Sequence, residues 1–396
     1  MNYIYLDNNA TTPCDPAVME AMLPFFGTRY ANPSSPHGMG KDAYAVVEEA
    51  REYVARYLRC SSSELLFTSG ATESNNIVLL GIAPPNGKRR IVASAIEHKS
   101  VRMPIYHRQR SGMDVKEIAV NRDGVVDLCS ADALIDQNTA IVSLQAANNE
   151  TGVLQPVEEV AAIAHSRGAL LHCDASQWLG KLPLPQWFDH CDYLSVSAHK
   201  FYGPKGVGAL VVRSGMPRKW ISPVYFGGGQ EHGLRSGTLN VPGIVGLNIA
   251  CRLAEERVGT DAASIGQLRK SFEILLQKKI AGSRINGVDA PRLPGSCNIT
   301  IPQVPASMLI ANLPLICIGE GSACSSGALE PSHVLAAMGL TRDDADCSIR
   351  VSFGRQNTMS QAETAVEMIA QVTGRLLEPA IKIQNIKGTS VKGGKT

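Results

Sequence analysis

Lys200 stands at the end of Asp192-Tyr193-Leu194-Ser195-Val196-Ser197-Ala198-His199-Lys200, an alternating, β-branched run that breaks at Gly203-Pro204. The alternation predicts a buried strand. A lysine at the polar end of such a strand is costly to keep charged. As a neutral amine it is suited to hold an aldehyde cofactor as a Schiff base. The ordinary alternative is a solvated surface lysine.

Other polar groups follow apolar runs in the same way. Gly70-Ala71-Thr72 lies at a strand-to-helix turn, where free backbone amides and the helix dipole favour a phosphate and the Thr72 hydroxyl adds a donor. A plain helix cap is the alternative there. His172-Cys173-Asp174-Ala175-Ser176-Gln177 puts Asp174 at the carboxyl edge of a sheet. A carboxylate there can pair with a protonated pyridine nitrogen and make the ring an electron sink, or it can cap a helix. Gln177, three residues on, can donate to a phenolate oxygen. His98, in Glu97-His98-Lys99-Ser100, can stack on a planar ring and exchange protons near neutral pH, or serve as a structural histidine. Asn149, in Asn148-Asn149-Glu150-Thr151-Gly152, either faces the same site or belongs to an ordinary turn.

Two features lie further along. Gly321-Ser322-Ala323-Cys324-Ser325-Ser326-Gly327 surrounds one cysteine with small residues, which leaves its sulfur accessible on a mobile loop or is merely a bland loop. A free thiol has pKa ~8.5, so about a tenth or less is thiolate near neutral pH without help. Arg350 interrupts the apolar run Ile349-Arg350-Val351. It awaits either a substrate carboxylate or an internal salt bridge.

The elements that position these groups alternate strand and helix, which argues an α/β fold with a mainly parallel sheet. Strands are expected at 64–70, 91–96, 140–144, 169–173, 193–196 and 207–212. Pro156 should open a helix that Gly168 ends. A long helix is expected from Ile244 to Arg257, with a domain boundary near 255–262.

Composition narrows the class. The 396 residues are 44% hydrophobic and 19% charged, which suits a large globular protein of two domains. A net charge of +2 and 5% aromatics argue against nucleic acid or membrane as the main partner. No apolar run approaches the ~20 residues of a membrane span, and Met1-Asn2-Tyr3-Ile4-Tyr5-Leu6-Asp7 lacks a signal-peptide pattern. The cytoplasm is the expected compartment. The ten cysteines form no C-x-x-C pair, so no resident zinc site or disulfide framework is expected.

Together these segments, with Tyr5-Leu6-Asp7-Asn8-Asn9-Ala10-Thr11-Thr12-Pro13 and Arg235-Ser236-Gly237-Thr238, resemble the cysteine desulfurases of the NifS/IscS type, within the class V aminotransferases. The match runs in order from residue 3 to about 355. It implies the fold of type I pyridoxal-phosphate enzymes: a large domain with a mainly parallel seven-stranded sheet over 14–257, and a smaller α+β domain made of 1–13 and 258–377. The smaller domain carries the catalytic loop, about 320–331, and 378–396 is expected to be a flexible tail.

The resemblance also implies pyridoxal 5′-phosphate as a Schiff base on Lys200. Ala71, Thr72, Ser197 and His199 would hold its phosphate, and Thr238 would reach the phosphate of a neighbouring subunit in a homodimer. Asp174 would pair with the pyridine nitrogen, Gln177 with the ring oxygen, and His98 would stack on the ring. Asn149 would lie near the ring oxygen and substrate, and Arg350 on the carboxylate of L-cysteine.

Lys200 would take the substrate Cα proton. Cys324 would attack the substrate sulfur, release alanine and carry a persulfide to an acceptor protein. Cys324 is the one residue for which contact with an iron–sulfur cluster is foreseen, during transfer. Selenocysteine lysis and aminotransfer are rival reactions on the same scaffold, and a catalytically idle partner-binding scaffold is a rival outside enzymes. Phe226-Gly227-Gly228-Gly229-Gln230-Glu231-His232-Gly233-Leu234-Arg235 also resembles desulfurases dedicated to DNA sulfur modification. The Lys/Gly-rich C-terminus departs from the family's partner-docking segment. Iron–sulfur assembly, tRNA thiolation and DNA phosphorothioation therefore all stay open as the sulfur's destination.

Overall fold

The computed structural model describes residues 3–83, 87–213, 220–320 and 331–389, excepting the side chains of 379–389. Seven strands form one sheet: β1 (Leu65–Thr68), β2 (Arg90–Ser94), β3 (Asp114–Ile118), β4 (Thr139–Gln145), β5 (Leu170–Asp174), β6 (Tyr193–Ser197) and β7 (Gly208–Val212), in the spatial order β1-β7-β6-β5-β4-β2-β3. Every pairing is parallel except those of β7, which runs antiparallel to both β1 and β6. Strands β4, β5 and β6 are buried along their whole length. Their near-continuous apolar runs reflect helices on both faces. One apolar core packs the long helices at 38–57, 157–166 and 241–279 against one side of the sheet. A second packs the helices Ala71–Gly81 and Lys99–Arg110 against the other.

The strands fall where the alternation places them, within a residue or two at most ends. Pro156 is the residue just before the helix Val157–Ser166, and Gly168 follows that helix at φ 64°. The helix expected to end at Arg257 runs instead from Val241 to Lys279. Val241 to Ala254 belong to the core of the large sheet, whereas Phe272 and Leu276 belong to a separate core. Leu268, Phe272, Leu275 and Leu276 keep helical spacing beyond Arg257, so tertiary burial carries the helix past the weak formers Gly259 and Gly266.

That separate core surrounds a four-stranded antiparallel sheet of Gly319–Glu320, Ser348–Ser352, Ser296–Thr300 and Arg284–Ile285, in that spatial order. The N-terminal segment joins it: Ile4–Tyr5 pairs in parallel with Ile316–Cys317, Leu6 is in the core, and Asp7 bridges to Ser352. The segment then crosses to β6, where Thr12 N–H donates to His199 O at 2.8 Å.

The last helix runs from Met359 to Thr389. The tail expected from Glu378 is thus helical at its start. Leu376, Leu377, Ala380 and Ile381 continue a helical apolar spacing that the lysines nearby obscure. Residues 390–396 lie outside the described part. Among the described residues no helix is long and apolar enough to cross a membrane, and the nine described cysteines are free thiols.

Candidate active site

A cavity of about 530 Å³ opens at the carboxyl ends of the large sheet, where ligands of open α/β sheets bind. Ala71, Thr72, His98, Asn149, Asp174, Gln177, Ser197, His199, Lys200 and Arg350 all line it. Strand ends explain the convergence. Parallel strands put β2, β4, β5 and β6 at one edge, and pairing sets Gln145 beside Asp174 and Asp174 beside Ser195.

Lys200 sits in the single turn that follows β6. Its Nζ donates to the backbone carbonyls of Asn9 and Ala10, both at 2.8 Å. Burial, helped by the Arg350 cation, pulls its pKa down to about 8, against the pull of Asp174 and Asp7. The surface-lysine alternative does not hold: this amine is buried and gives up its proton far more readily than an ordinary lysine, which favours nucleophilic use.

On one wall the helix Ala71–Gly81 starts at Gly70, which adopts φ 146° and provides no side-chain cap. The first turn therefore offers free N–H donors and a positive dipole end. Gly208 allows this turn to approach, since a Cβ there would lie 2.3 Å from Val196 O and 2.7 Å from Gly70 Cα. Ser197 Oγ is close by, 3.3 Å from where a Gly70 Cβ would be. His199 Nδ1 meets Thr11 Oγ1 at 3.1 Å. Burial and the cations Lys200, Lys205 and Lys181 push the His199 pKa down to about 4, so the ring is neutral. Glu73, on the same turn, is held by Arg235 Nε at 2.7 Å and Ser69 N at 2.6 Å. Burial raises its pKa, but these donors outweigh it and keep the carboxyl below its ordinary range.

The opposite wall is a carboxylate network. Asp174 is buried; its Oδ1 accepts from Ser176 N at 3.0 Å and its Oδ2 from Asn75 Nδ2 at 2.9 Å. Asn75 Nδ2 also donates to Ser100 Oγ at 2.9 Å, which in turn meets His98 Nδ1 at 2.8 Å. His98 is the N-cap of the helix Lys99–Arg110 and accepts the Ser100 N–H at 3.1 Å on Nδ1. A backbone donor on Nδ1 places the neutral ring's proton on Nε2. Burial lowers the His98 pKa, so the neutral form prevails. Beneath it Glu97 is fully buried; desolvation raises its pKa well above the carboxylate range.

Arg350 makes the internal salt bridge that was one of its two readings. Its Nη2 pairs with Asp7 Oδ1 at 2.7 Å, and its Nη1 donates to Asn149 O at 3.2 Å. Its buried Nε has no hydrogen-bond partner among the described residues, and the side chain still lines the cavity. Gln177 donates one Nε2 hydrogen to Asn9 O at 3.0 Å and accepts at Oε1 from Lys181 Nζ. Glu150, also lining the cavity, accepts from Ser332 Oγ. Its burial raises its pKa to about 7 against the pull of Ser332, Arg350 and Lys99.

Thr238 is exposed and does not line the cavity. Cys324 and its loop from 321 to 330 lie outside the described residues. Asn9, Asn75, Asp7, Glu150 and Lys181 were not singled out from the sequence. Asn9 stood in a quoted motif, but its role comes from backbone carbonyl and side-chain contacts that a residue pattern does not express.

Residues 4–364 match the Aminotransferase class-V family. Cysteine desulfurase IscS of Rickettsia felis is 40% identical over 378 residues, covering 95% of this chain and 92% of that protein. A solved structure titled NifS-like protein is 39% identical with a TM-score of 0.87, covering 94% of this chain and 99% of that one. The crystal structure of DndA from Streptomyces lividans is 37% identical with a TM-score of 0.76, covering 87% of this chain and 98% of that one. The chain therefore belongs to the class-V aminotransferase family, among its cysteine desulfurases.

Proposed function

We propose that this cavity seats pyridoxal 5′-phosphate on Lys200 and removes sulfur from L-cysteine, leaving L-alanine. Cysteine desulfurases of the class-V aminotransferase family are pyridoxal-phosphate enzymes. Three separate parts of the cavity fit that cofactor. The uncapped helix start at Gly70, with Thr72, Ser197 and the neutral His199, suits a phosphate. Asp174, anchored by Asn75 and Ser176, suits a pyridine nitrogen. The depressed Lys200 amine suits the aldehyde carbon. The observation that carries the reading is this convergence of cradle, carboxylate and amine in one cavity. When bound, the cofactor supplies an electron sink for the pair released at the substrate Cα.

The chain's own residues do the rest. Arg350, held by Asp7 and lining the cavity, takes the substrate carboxylate. Lys200 Nζ would take the Cα proton, and Asn9 O and Ala10 O, its present acceptors, would orient it. His98 holds a proton on Nε2 and would stack on the bound ring. Cys324, outside the described residues, attacks the substrate sulfur as a thiolate. A new S–S bond forms as the substrate C–S bond breaks, and a proton returns to carbon as alanine leaves. Cys324 then bears a persulfide for an acceptor protein. A persulfide donor must travel, and the Gly/Ser surroundings of Cys324 suit that.

A homodimer completes the site: Thr238, exposed and clear of the cavity, reaches the phosphate held by the partner subunit. Relatives named IscS at 40% identity and a neighbour named DndA at 37% rank neither iron–sulfur assembly nor DNA modification first as the sulfur's destination. The test is the reaction itself. Wild type should be yellow and form alanine and sulfide from L-cysteine with a reductant. Lys200→Ala should lose the visible band, and Cys324→Ala should keep it and release no sulfide. Keto-acid formation from cysteine in place of alanine would overturn the reading.

A further inference from the structure

We propose that Lys181 is a positioning residue of this site, because it locks the Gln177 amide so that its NH₂ and not its carbonyl serves the cavity. Lys181 does not touch the main cavity. It lines a separate space of about 30 Å³ with Asn9 and Lys200, behind Gln177. From there its Nζ donates to Gln177 Oε1 and, at 2.9 Å, to Asn9 Oδ1.

An amide can present either end unless a neighbour decides. Lys181 Nζ donates to two side-chain oxygens at once, so it selects the oxygen of Gln177 and turns the nitrogen the other way. One Nε2 hydrogen then goes to Asn9 O at 3.0 Å. The second remains for an oxygen in the cavity that Gln177 lines. Asn9 is fixed in the same stroke: its Nδ2 donates to Ser296 Oγ at 2.8 Å, and its N–H donates to Ser352 Oγ at 2.9 Å. The acceptor for Lys200 and the acceptor for Gln177 are therefore one carbonyl, Asn9 O, held from the far sheet.

Keeping Lys181 here is costly. Burial, with the Lys200 and Arg350 cations, drives its pKa well below the lysine range. A neutral residue of similar shape would avoid that cost, so the donor function explains why a lysine stands there. The ligand class that gains is an anionic ring oxygen, which accepts from an NH₂ and is repelled by a carbonyl.

The inference rests on the cofactor reading. The experiment follows the visible absorption of the cofactor-loaded protein against pH, together with cofactor Kd by dialysis. Lys181→Met should raise the midpoint of the visible-band titration by about one pH unit, since the contact that keeps the Gln177 NH₂ aimed at the ring oxygen is lost. Lys181→Arg, which keeps the donor, should stay close to wild type. The double-mutant cycle with Gln177→Ala decides whether Lys181 acts through Gln177. If it does, adding Lys181→Met to Gln177→Ala moves the midpoint much less than it does in wild type. An unchanged midpoint in Lys181→Met, or an equal shift in both backgrounds, overturns the proposal. Should Lys181→Met melt at low temperature, Lys181→Gln enters the same cycle, with a smaller shift in the same direction expected. A wild type with no visible band would overturn the cofactor reading and this proposal together, which separates the two failures.

Discussion

Asn75 and Asp174 meet at 2.9 Å, amide nitrogen to carboxylate oxygen, and both are buried. The contact holds the acid at the cavity's edge in one orientation. Asn75→Ala leaves Asp174 Oδ2 short of a partner in a desolvated site. A buried acceptor that loses its donor costs about 1–3 kcal/mol. Turnover of L-cysteine should therefore fall by about 10-fold or more, while the yellow colour remains. Steady-state kinetics beside an absorbance spectrum checks this. Wild-type kcat with the spectrum intact would show that Asp174 needs no such anchor.

The Lys200 amine gives a pH dependence with a definite sign. Its ordinary pKa is 10.5 and its folded value is about 8. Between these values the unfolded chain binds more protons than the folded one, so stability rises with pH there. Below about pH 8 both states are protonated, and the burial cost is present in full. In cofactor-free protein, Lys200→Met should thus be more stable relative to wild type at pH 7 than at pH 10. Urea midpoints of the two proteins across that range measure the difference. A gap independent of pH would mean the amine is solvated.

Much of the cavity was legible from strand ends. Asp174 and Ser197 close apolar runs and Lys200 follows one, and parallel pairing brings such ends together without further information. The N-terminal turn at Gly70 was legible for the same reason: a strand, a glycine, then a helix. What was not legible comes from partners far along the chain. Asp7 and Arg350 are 343 residues apart and Asn75 and Asp174 are 99 apart, so neither pair leaves a local pattern. The alternatives left open at Arg350 show the limit well, because one side chain makes the internal salt bridge and still lines the cavity. The overrun of the helix past Arg257 has the same root, since Phe272 and Leu276 share a core with strands and the last helix, which follow them in sequence.

Gly208 makes a prediction about the cradle that touches no donor. A methyl there would sit 2.3 Å from Val196 O and 2.7 Å from Gly70 Cα, all of it backbone. Nothing flexible can yield, so β7 or the Gly70 turn must move. Gly208→Ala should lower stability by about 1–3 kcal/mol and weaken cofactor binding by at least about 10-fold as the helix start retreats. Urea unfolding and dialysis read the two effects separately. Loss of stability with unchanged cofactor affinity would place the strain in β7 and leave the cradle untouched.

Arg350 separates binding from chemistry. Two of its nitrogens are already engaged, by Asp7 and by Asn149 O, and Nε is left over in a buried position. A lysine at 350 can keep one contact but cannot keep the pair and still offer a directed donor to a carboxylate. The carboxylate contact exists in the bound substrate and persists through the reaction, so its loss is uniform. Arg350→Lys should therefore raise KM for L-cysteine by about 10-fold, which is about 1.4 kcal/mol, with a much smaller change in kcat. Asp7→Asn supplies the contrast. It leaves the guanidinium in place but removes its charged anchor, and should raise KM less than Arg350→Lys does. If Arg350→Lys lowered kcat and left KM alone, the arginine would be serving the reacting atoms and not the substrate carboxylate.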